Sequence, residues 1–552
     1  MTLVAAAATV VAGLTVAAAG GAAAAQPPAC APGTTVNTAD GPVCGVTAGG
    51  VTSYLGVPYA AAPVGQLRWA PPRPAPVRTG TFDATAQGSE CAQPSFSGPG
   101  VSGSEDCLNL NVQIPAGTTA GSKLPVMVEF HGGGFQFFGP DDGSPLVTAG
   151  HIIFVGVNYR LGILGFMASK GLGPHAGDYG LQDEQASLRW VRQNIAGFGG
   201  NPRNVTIFGA SAGGSSVCDA VASPAATGLF QKGISESGEY NASVGPNTAW
   251  PPQDCKTQLP TEAQAGQAGA AFAAAVGCGS GTAAQVAACL RNVPVPTLIK
   301  QEQVGGGLSL ASGTLAPIVN GTTLPMSPGL AFATGRFNHH VSLIIGVARD
   351  ENYGGGGVLV KSVSQYRQLI TQQYGPALAQ RILALYPPSR FPGWSNGQPT
   401  PATLFIAHRT VVADSDAVCP ALRNDARLSR HIPVFAYEVD DADAPTTFFL
   451  PAGVASGSYH VDESFLLFDT ASAHLDPNQQ ALSDQLKAEW TGFARTGNPT
   501  VDGAPLWIRY TGWNPLVMSL VPAGDSALNP ASTLDVQHNC GFWDAVTPVP
   551  GH

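Results

Sequence analysis

Short apolar runs rich in β-branched residues recur along the chain, with longer amphipathic stretches between them. Runs that are mainly apolar and show no strict alternation predict strands that are buried on both faces of a sheet. These predicted strands cover residues 126–130, 152–157, 205–208, 343–347 and 434–437. Further strands are expected after residue 51 and, from an alternating pattern, over residues 104–112.

Between these strands, apolar residues recur at the spacing of a helix that packs on one face. The two clearest sets are Leu181, Leu188, Val191 and Ile195, and Leu482, Leu486, Trp490 and Phe493. Strands that alternate with amphipathic helices predict an α/β fold, with a mostly parallel central sheet and helices on both faces.

The chain has 552 residues, a length that corresponds to about three or four domains in an average protein. No linker-like charge run or internal repeat divides it, however. We therefore expect residues 26–552 to form a single domain with insertions.

Residues 1–25 contain no charged side chain and consist mainly of Ala, Val, Gly and Leu. Small residues at 23–25 precede Gln26, as at a cleavage site, so the segment is predicted to be a secretory signal peptide. The basic residue that usually precedes the apolar core is missing, and an uncleaved anchor is the alternative. No later run reaches the ~20 apolar residues of a membrane span, so we expect a secreted, soluble mature protein.

The charge of the chain restricts its partners. The formal net charge is −10, and only 11% of residues are charged. This balance argues against nucleic acid and anionic membranes as partners. It leaves the oligomeric state open.

Ten cysteines in an exported chain imply disulfide bonds. Spacing alone cannot assign them, but local pairs would join Cys30 to Cys44, Cys91 to Cys107 and Cys278 to Cys289. A metal site is the rival interpretation. The sequence contains no C-x-x-C or H-x-x-x-H cluster, so no metal is expected.

Gly209-Ala210-Ser211-Ala212-Gly213 follows the predicted strand 205–208 and precedes a helix-compatible run of small residues. This is a G-x-S-x-G pattern between a strand and a helix, the context of a nucleophile elbow. Such a turn exposes the serine hydroxyl and directs helical N–H groups at the reacting centre. The pattern by itself could arise by chance in a chain with 69 glycines.

His131-Gly132-Gly133-Gly134 follows the predicted strand 126–130. A glycine run after a sheet strand lets backbone N–H groups converge, as an oxyanion hole requires. A glycine-rich turn that only connects the strand to a loop is the alternative.

A serine nucleophile needs a histidine base and an acid, in the chain order Ser, acid, His. Asp350 and Glu351 both follow the predicted strand 343–347, and the residues themselves do not decide between them. Of the eleven histidines, His460 lies after both carboxylates and before an apolar segment. Asp462 and Glu463 lie close to it in sequence but are expected to point elsewhere.

Several motifs together resemble the type-B carboxylesterase and cholinesterase family of α/β-hydrolases. They are LGVPYA, EDCLNLNV, HGGGF, NYRLGILGF, GLQDEQASLRWVRQNIAGFGGNPRNVTIFGASAGG and FARTGNP, and they occur in the order of the family. The resemblance covers residues 42–543. It implies an α/β-hydrolase fold and hydrolysis of small-molecule carboxylic esters, with neither a cofactor nor a metal.

The resemblance also implies the role of each candidate site residue. Ser211 would be the nucleophile, Glu351 the acid and His460 the base, with Asp350 a solvated or structural neighbour of the acid. The oxyanion donors would be the backbone N–H groups of Gly133, Gly134 and Ala212.

Six cysteines have counterparts in the family's disulfides. The implied pairs are Cys91 with Cys107, Cys278 with Cys289, and Cys419 with Cys540. The pair of Cys30 and Cys44 rests only on proximity in sequence, and Cys218 and Cys255 are left free or paired.

Two departures from the cholinesterases bear on the substrate. Ala210 stands where they carry a glutamate, and the loop between Cys91 and Cys107 has no tryptophan, with Phe96 its only aromatic residue. Both changes favour neutral esters over choline esters. After the glycine run, Phe135, Phe137 and Phe138 are expected to line a substrate pocket, unless they belong to the core.

Two other functions remain open. One is a lipase of the same family that acts on long acyl chains. The other is a non-catalytic adhesion domain with the same fold, although such domains typically lack the serine.

Overall fold

The computed structural model describes residues 30–95, 100–238, 255, 259–304, 315–351, 360–393, 398–445, 454, 456–468 and 474–546. Eleven of the described strands form one large sheet. In chain order they are β3 (Val46–Ala48), β4 (Val51–Pro58), β8 (Asn109–Pro115), β9 (Leu124–Phe130), β10 (Ile153–Val157), β11 (Gly200–Ala210), β12 (Lys232–Glu236), β13 (Ser342–Ala348), β14 (Val434–Val439), β15 (Leu516–Leu520) and β16 (Ala527–Pro530).

The strand order across this sheet is β16-β15-β14-β13-β12-β11-β9-β10-β8-β4-β3. From β15 to β10 in this order, each strand is parallel to the next, and the pairs outside this part, towards the two edges, are antiparallel. All five predicted apolar runs correspond to strands of this parallel part of the sheet. The predicted α/β class with a mostly parallel sheet is therefore confirmed.

Two small sheets lie outside the large one. The first contains β1 (Val36–Thr38), β2 (Gly41–Cys44) and β5 (Phe82–Asp83), and the second pairs β6 (Gln93–Pro94) with β7 (Val101–Ser102). The second sheet matters for the site, since it lies in the loop that Cys91 and Cys107 close.

The described residues include fifteen α-helices, some of which cover the two faces of the large sheet. They are α1 (Ser144–Gly150), α2 (Gly162–Phe166), α3 (Tyr179–Asn194), α4 (Ala212–Ala222), α5 (Glu262–Ala275), α6 (Ala283–Asn292), α7 (Val295–Val304), α8 (Pro328–Thr334), α9 (Val363–Leu385), α10 (Pro401–Ala413), α11 (Cys419–Leu428), α12 (Asp462–Leu467), α13 (Pro477–Thr496), α14 (Ala531–Gln537) and α15 (Cys540–Val546). Both helices predicted from apolar spacing are present, as α3 and α13.

Residues of one strand alternate between two separate hydrophobic clusters. In β9, Val126 and Val128 pack with Leu188 of α3, whereas Met127 packs on the opposite face with Trp490 of α13. Both faces are thus covered by helices, which is why these strands lack the polar alternation of a half-exposed sheet.

The alternating strand expected over residues 104–112 is present with other bounds. The strand is β8, Asn109–Pro115, and every residue of it is buried. Its polar residues hydrogen-bond inside the protein: Asn109 with Asn158, and Gln113 with Asp142 at 2.6 Å. Alternation here reflects buried polar pairing rather than an exposed face.

Five disulfide bonds join all ten cysteines. They pair Cys30 with Cys44, Cys91 with Cys107, Cys218 with Cys255, Cys278 with Cys289, and Cys419 with Cys540. The third pair is the one that the sequence left open.

In the part of the chain that the structure describes, no helix combines the length and apolar character needed to span a membrane. The predicted signal peptide lies outside that part.

A buried ion triad ties the C-terminal helices to the sheet. His538 lies between Asp414, at 2.6 Å from Nδ1, and Glu438 of β14, at 3.0 Å from Nε2. Burial disfavours the charged imidazole, but the charges of Asp414 and Glu438 outweigh it and raise the pKa of His538 well above its usual value. The imidazole therefore stays charged at neutral pH.

We expect the stabilisation from this triad to be lost at alkaline pH. Because the pKa of His538 is raised in the folded state, the triad contributes fully below the unfolded value of about 6.5 and fades as the pH rises through the folded value. At pH 6, His538→Gln should lower the free energy of unfolding by about 3–5 kcal/mol, the usual effect of breaking a buried pair.

Thermal unfolding measured from pH 6 to pH 10 checks this. The difference in Tm between wild type and variant should shrink as the pH rises, while the exposed control His339→Gln should show no such trend. A Tm difference that stays constant across this range would contradict the charged triad.

Candidate active site

The tight turn around Ser211 requires a glycine on each side of it. β11 ends at Ala210, α4 begins at Ala212, and Ser211 between them has a φ of 58° and a ψ of −121°, a strained conformation for a serine. A Cβ atom at Gly209 or Gly213 would lie 2.1 or 1.8 Å from the carbonyl oxygen of Phe130. Only glycine fits at both positions, so the G-x-S-x-G pattern here has a steric cause.

Three side chains form a continuous hydrogen-bonded relay at this turn. Nε2 of His460 lies 2.8 Å from Oγ of Ser211, and Nδ1 lies 2.8 Å from Oε2 of Glu351. Glu351 is 0% exposed, and its Oε1 accepts the backbone N–H of Ala348 at 3.1 Å. The carboxylate therefore has one oxygen fixed by the last residue of β13 and the other directed at the imidazole.

Asp350, the other carboxylate considered for the acid, turns away from the imidazole. Its backbone N–H donates to the carbonyl of Ser458 at 2.8 Å, and its Oδ2 accepts the N–H of Ser458 at 3.2 Å. Arg349, at 2.8 Å, and Arg409, at 3.6 Å, balance its charge. Asp350 thus joins the loop of Glu351 to the loop of His460.

The glycine loop, residues 131–139, lies directly against the serine. A Cβ at Gly132 would be 3.5 Å from Cβ of Ser211, and Gly133 and Gly134 have φ values of 103° and 63°. His131 stacks on Tyr159, whose hydroxyl donates to the His131 carbonyl at 2.7 Å. Burial lowers the pKa of His131 to about 4, so this histidine is neutral and supports the loop.

Two further buried acids lie behind Glu351. Glu463 accepts hydrogen bonds from Ser237 at 3.0 Å and from Tyr437 at 2.9 Å, and Glu236 accepts one from Trp490 at 2.6 Å. Burial, with the charge of Glu351 added, raises the pKa of Glu463 to about 7, and burial with the charge of Glu463 raises that of Glu236 to about 8. Glu236 is therefore largely protonated at neutral pH.

The acids beside His460 in sequence have other partners. Asp462 accepts the hydroxyl of Ser458 at 3.0 Å, and Glu463 bonds as described above. The sequence around Ser237 gave no sign that this residue is a partner of Glu463. Ser237 follows a strand and lies far from residue 463 in sequence.

The three phenylalanines of the glycine loop have different surroundings. Phe135 is buried and packs on Phe166 with ring centroids 5.1 Å apart, so it belongs to the core. Phe138 is exposed, and its ring lies 6.4 Å from that of Phe137. Phe96 lies outside the described residues.

Among the described residues, one group has the composition of a metal site: Cys30, Cys44 and Asp83. The two cysteines are joined in a disulfide, so they offer no thiolate to an ion. This group is therefore no reason to revise the expectation, drawn from the sequence, that the protein holds no metal.

A family model described as the carboxylesterase family matches residues 32–543. Carboxylesterase 3B of Mus musculus is 34% identical over 492 residues, covering 83% of this chain and 80% of its own. Para-nitrobenzyl esterase of Bacillus subtilis (strain 168) is 33% identical over 497 residues, covering 86% and 92%. A solved PNB esterase structure superposes with a TM-score of 0.74 at 30% identity, covering 92% of this chain and 99% of its own.

The relay predicts different consequences for two neighbouring substitutions. In Glu351→Gln, the amide oxygen would keep the Ala348 N–H and turn the NH₂ group towards Nδ1 of His460, which stabilises the wrong tautomer. We expect kcat on p-nitrophenyl butyrate to fall by about 10⁴, as when the acid of such a relay becomes an amide. Asp350→Asn keeps an acceptor for Ser458 and should cost far less.

Steady-state kinetics of the two purified variants, with circular dichroism as a control for folding, check this assignment. If Asp350→Asn were the more damaging substitution, Glu351 would not be the acid.

Proposed function

The chain belongs to the carboxylesterase family and is a carboxylic ester hydrolase, and from this premise we propose that it is an exported serine esterase that acts on neutral esters through an acyl-enzyme. The observation that carries the proposal is the unbroken relay from Ser211 Oγ through His460 to the buried carboxylate of Glu351. A non-catalytic domain would not need this arrangement.

Acylation begins when Ser211 Oγ attacks the ester carbonyl carbon and its proton passes to Nε2 of His460. The 2.8 Å contact places the two atoms at hydrogen-bond distance for this transfer. Glu351 stabilises the imidazolium and holds Nδ1 as the protonated nitrogen. The imidazolium then gives its proton to the departing alcohol, which leaves Ser211 acylated.

Deacylation repeats these steps with water. His460 takes a proton from the water as it attacks the acyl carbonyl, and the proton returns to Oγ as the carboxylic acid leaves. Both tetrahedral intermediates carry an oxyanion, for which we propose the backbone N–H groups of Gly133, Gly134 and Ala212. Loss of one such donor typically costs about 10²–10³ in kcat.

Export is proposed from two observations. Residues 1–25 have the composition of a signal peptide, and five disulfides join all ten cysteines, which fits an oxidising compartment. We further propose that the mature chain is one domain with a small-molecule ester as its substrate, without a nucleic acid or membrane partner.

Substitution of the nucleophile tests the mechanism. Ser211→Ala should lower kcat by about 10⁶, because the relay acts as a unit and little remains when the serine is removed. Hydrolysis of p-nitrophenyl esters of graded acyl length by wild type and variant measures this and locates the preferred chain length. A preference for acyl chains of ten or more carbons would favour the lipase alternative, and hydrolysis that survives Ser211→Ala would contradict the acyl-enzyme.

The second test concerns charge in the substrate. A quaternary ammonium group gains about 2 kcal/mol from a desolvated aromatic face, roughly thirtyfold in affinity. Ala210 places no carboxylate beside Ser211, and the sequence between Cys91 and Cys107 contains no tryptophan. We therefore expect kcat/KM for butyrylcholine to be no higher than for its uncharged isostere, 3,3-dimethylbutyl butyrate. A preference of tenfold or more for the choline ester would reveal a cation site.

A further inference from the structure

The glycine loop carries one exposed aromatic ring, which contacts a proposed oxyanion donor. Phe138 is 49% exposed, whereas Phe135 of the same loop is 0% exposed. A Cβ built on Gly133 would lie 2.7 Å from Cδ2 of Phe138, so the ring covers the backbone of Gly133 itself. Since the N–H of Gly133 is a proposed oxyanion donor, the ring is close to the reacting carbonyl.

The backbone of Phe138 has a conformation that a bulky residue rarely adopts. Its φ is 76°, in the left-handed region, where a phenylalanine persists only if its surroundings hold it there. Gln93 provides that constraint with one side-chain amide. Its Oε1 accepts the Phe138 N–H at 2.7 Å, and its Nε2 donates to the Phe138 carbonyl at 2.9 Å.

Gln93 is itself firmly fixed. It is 3% exposed and lies in β6, inside the loop closed by the Cys91–Cys107 disulfide. Its Nε2 also lies 3.1 Å from the carbonyl of Cys91 and 3.2 Å from Oε2 of Glu90. The buried side chain of Gln93 therefore holds the exposed, strained Phe138 in one position through two hydrogen bonds.

We propose that Phe138 is a substrate-contacting residue that selects esters carrying an aryl ring, and that Gln93 is the residue that positions it. The inference rests on the proposed serine esterase function and adds a substrate class to it. An aryl group can stack on Phe138 or meet it edge to face, and such pairs gain affinity beyond the area they bury. A saturated ring of the same size gains only the affinity that comes from burying its apolar area.

Two matched pairs of esters isolate this difference. Benzyl butyrate and cyclohexylmethyl butyrate carry the ring on the alcohol, and ethyl phenylacetate and ethyl cyclohexylacetate carry it on the acyl group. In at least one pair, the wild type should prefer the aryl ester. Phe138→Leu, which keeps an apolar side chain without a ring, should reduce that preference in kcat/KM by about two- to tenfold, mainly through KM of the aryl ester.

Gln93→Met tests the positioning role, because methionine has a similar length and cannot form the two hydrogen bonds to Phe138. The aryl preference should fall although the ring is still present. The double variant should lose no more than Phe138→Leu alone, since Gln93 acts through Phe138. If Gln93 had a merely structural role, its substitution would lower kcat/KM for both esters of a pair equally and leave the ratio of the two values unchanged.

Trp513→Leu is the matched control, because Trp513 is 100% exposed and precedes β15, which four strands separate from β9 and the glycine loop. This variant should have the same ratio of kcat/KM between aryl and saturated ester as the wild type in both pairs. If Phe138→Leu changes neither ratio while the wild type hydrolyses all four esters, this inference is wrong and the proposed function stands. If the wild type hydrolyses none of them, both are overturned.

Discussion

The contact on which the site depends is the one between the end of β9 and the turn around Ser211. The carbonyl oxygen of Phe130 occupies the space that a Cβ at Gly209 or Gly213 would need. β9 and β11 are adjacent parallel strands, so this contact sets how closely their carboxyl ends approach. The chain leaves β9 at Phe130 and continues directly as the glycine loop. One steric fit therefore fixes both Ser211 and the loop that lies over it.

The acid and the base reach Ser211 by a second constraint. Glu351 follows β13 and His460 precedes α12, on segments far apart in the sequence. The reciprocal hydrogen bonds of Asp350 with Ser458 join these segments independently of the relay. Much of the geometry is thus set by backbone contacts and buried charges, which leaves the imidazole little freedom to adopt an unproductive rotamer.

Sequence patterns predicted those features that depend on neighbouring residues along the chain. The parallel strands are marked by short apolar runs, the two amphipathic helices by local periodicity, and the turn at Ser211 by a local steric signature. The acid could not be chosen from residue type, because Asp350 and Glu351 are both carboxylates after the same strand. Their directions separate them: one faces Arg349 and Arg409, the other His460. The bridge between Cys218 and Cys255, and the burial of β8, depend on tertiary neighbours that no local pattern contains.

Gln93 illustrates why part of a site has no sequence signal at all. Its main partners are the backbone N–H and C=O of Phe138, which every residue except proline would present. Only the fold reveals that this amide holds a strained residue. Among the described residues, its hydrogen bonds are to Phe138, Cys91 and Glu90 and not to Ser211, Glu351 or His460. The contacts proposed to select the ester are therefore separate from the relay that cleaves it, so a change in the Cys91–Cys107 loop can alter selectivity while the catalytic geometry at the sheet edge is retained.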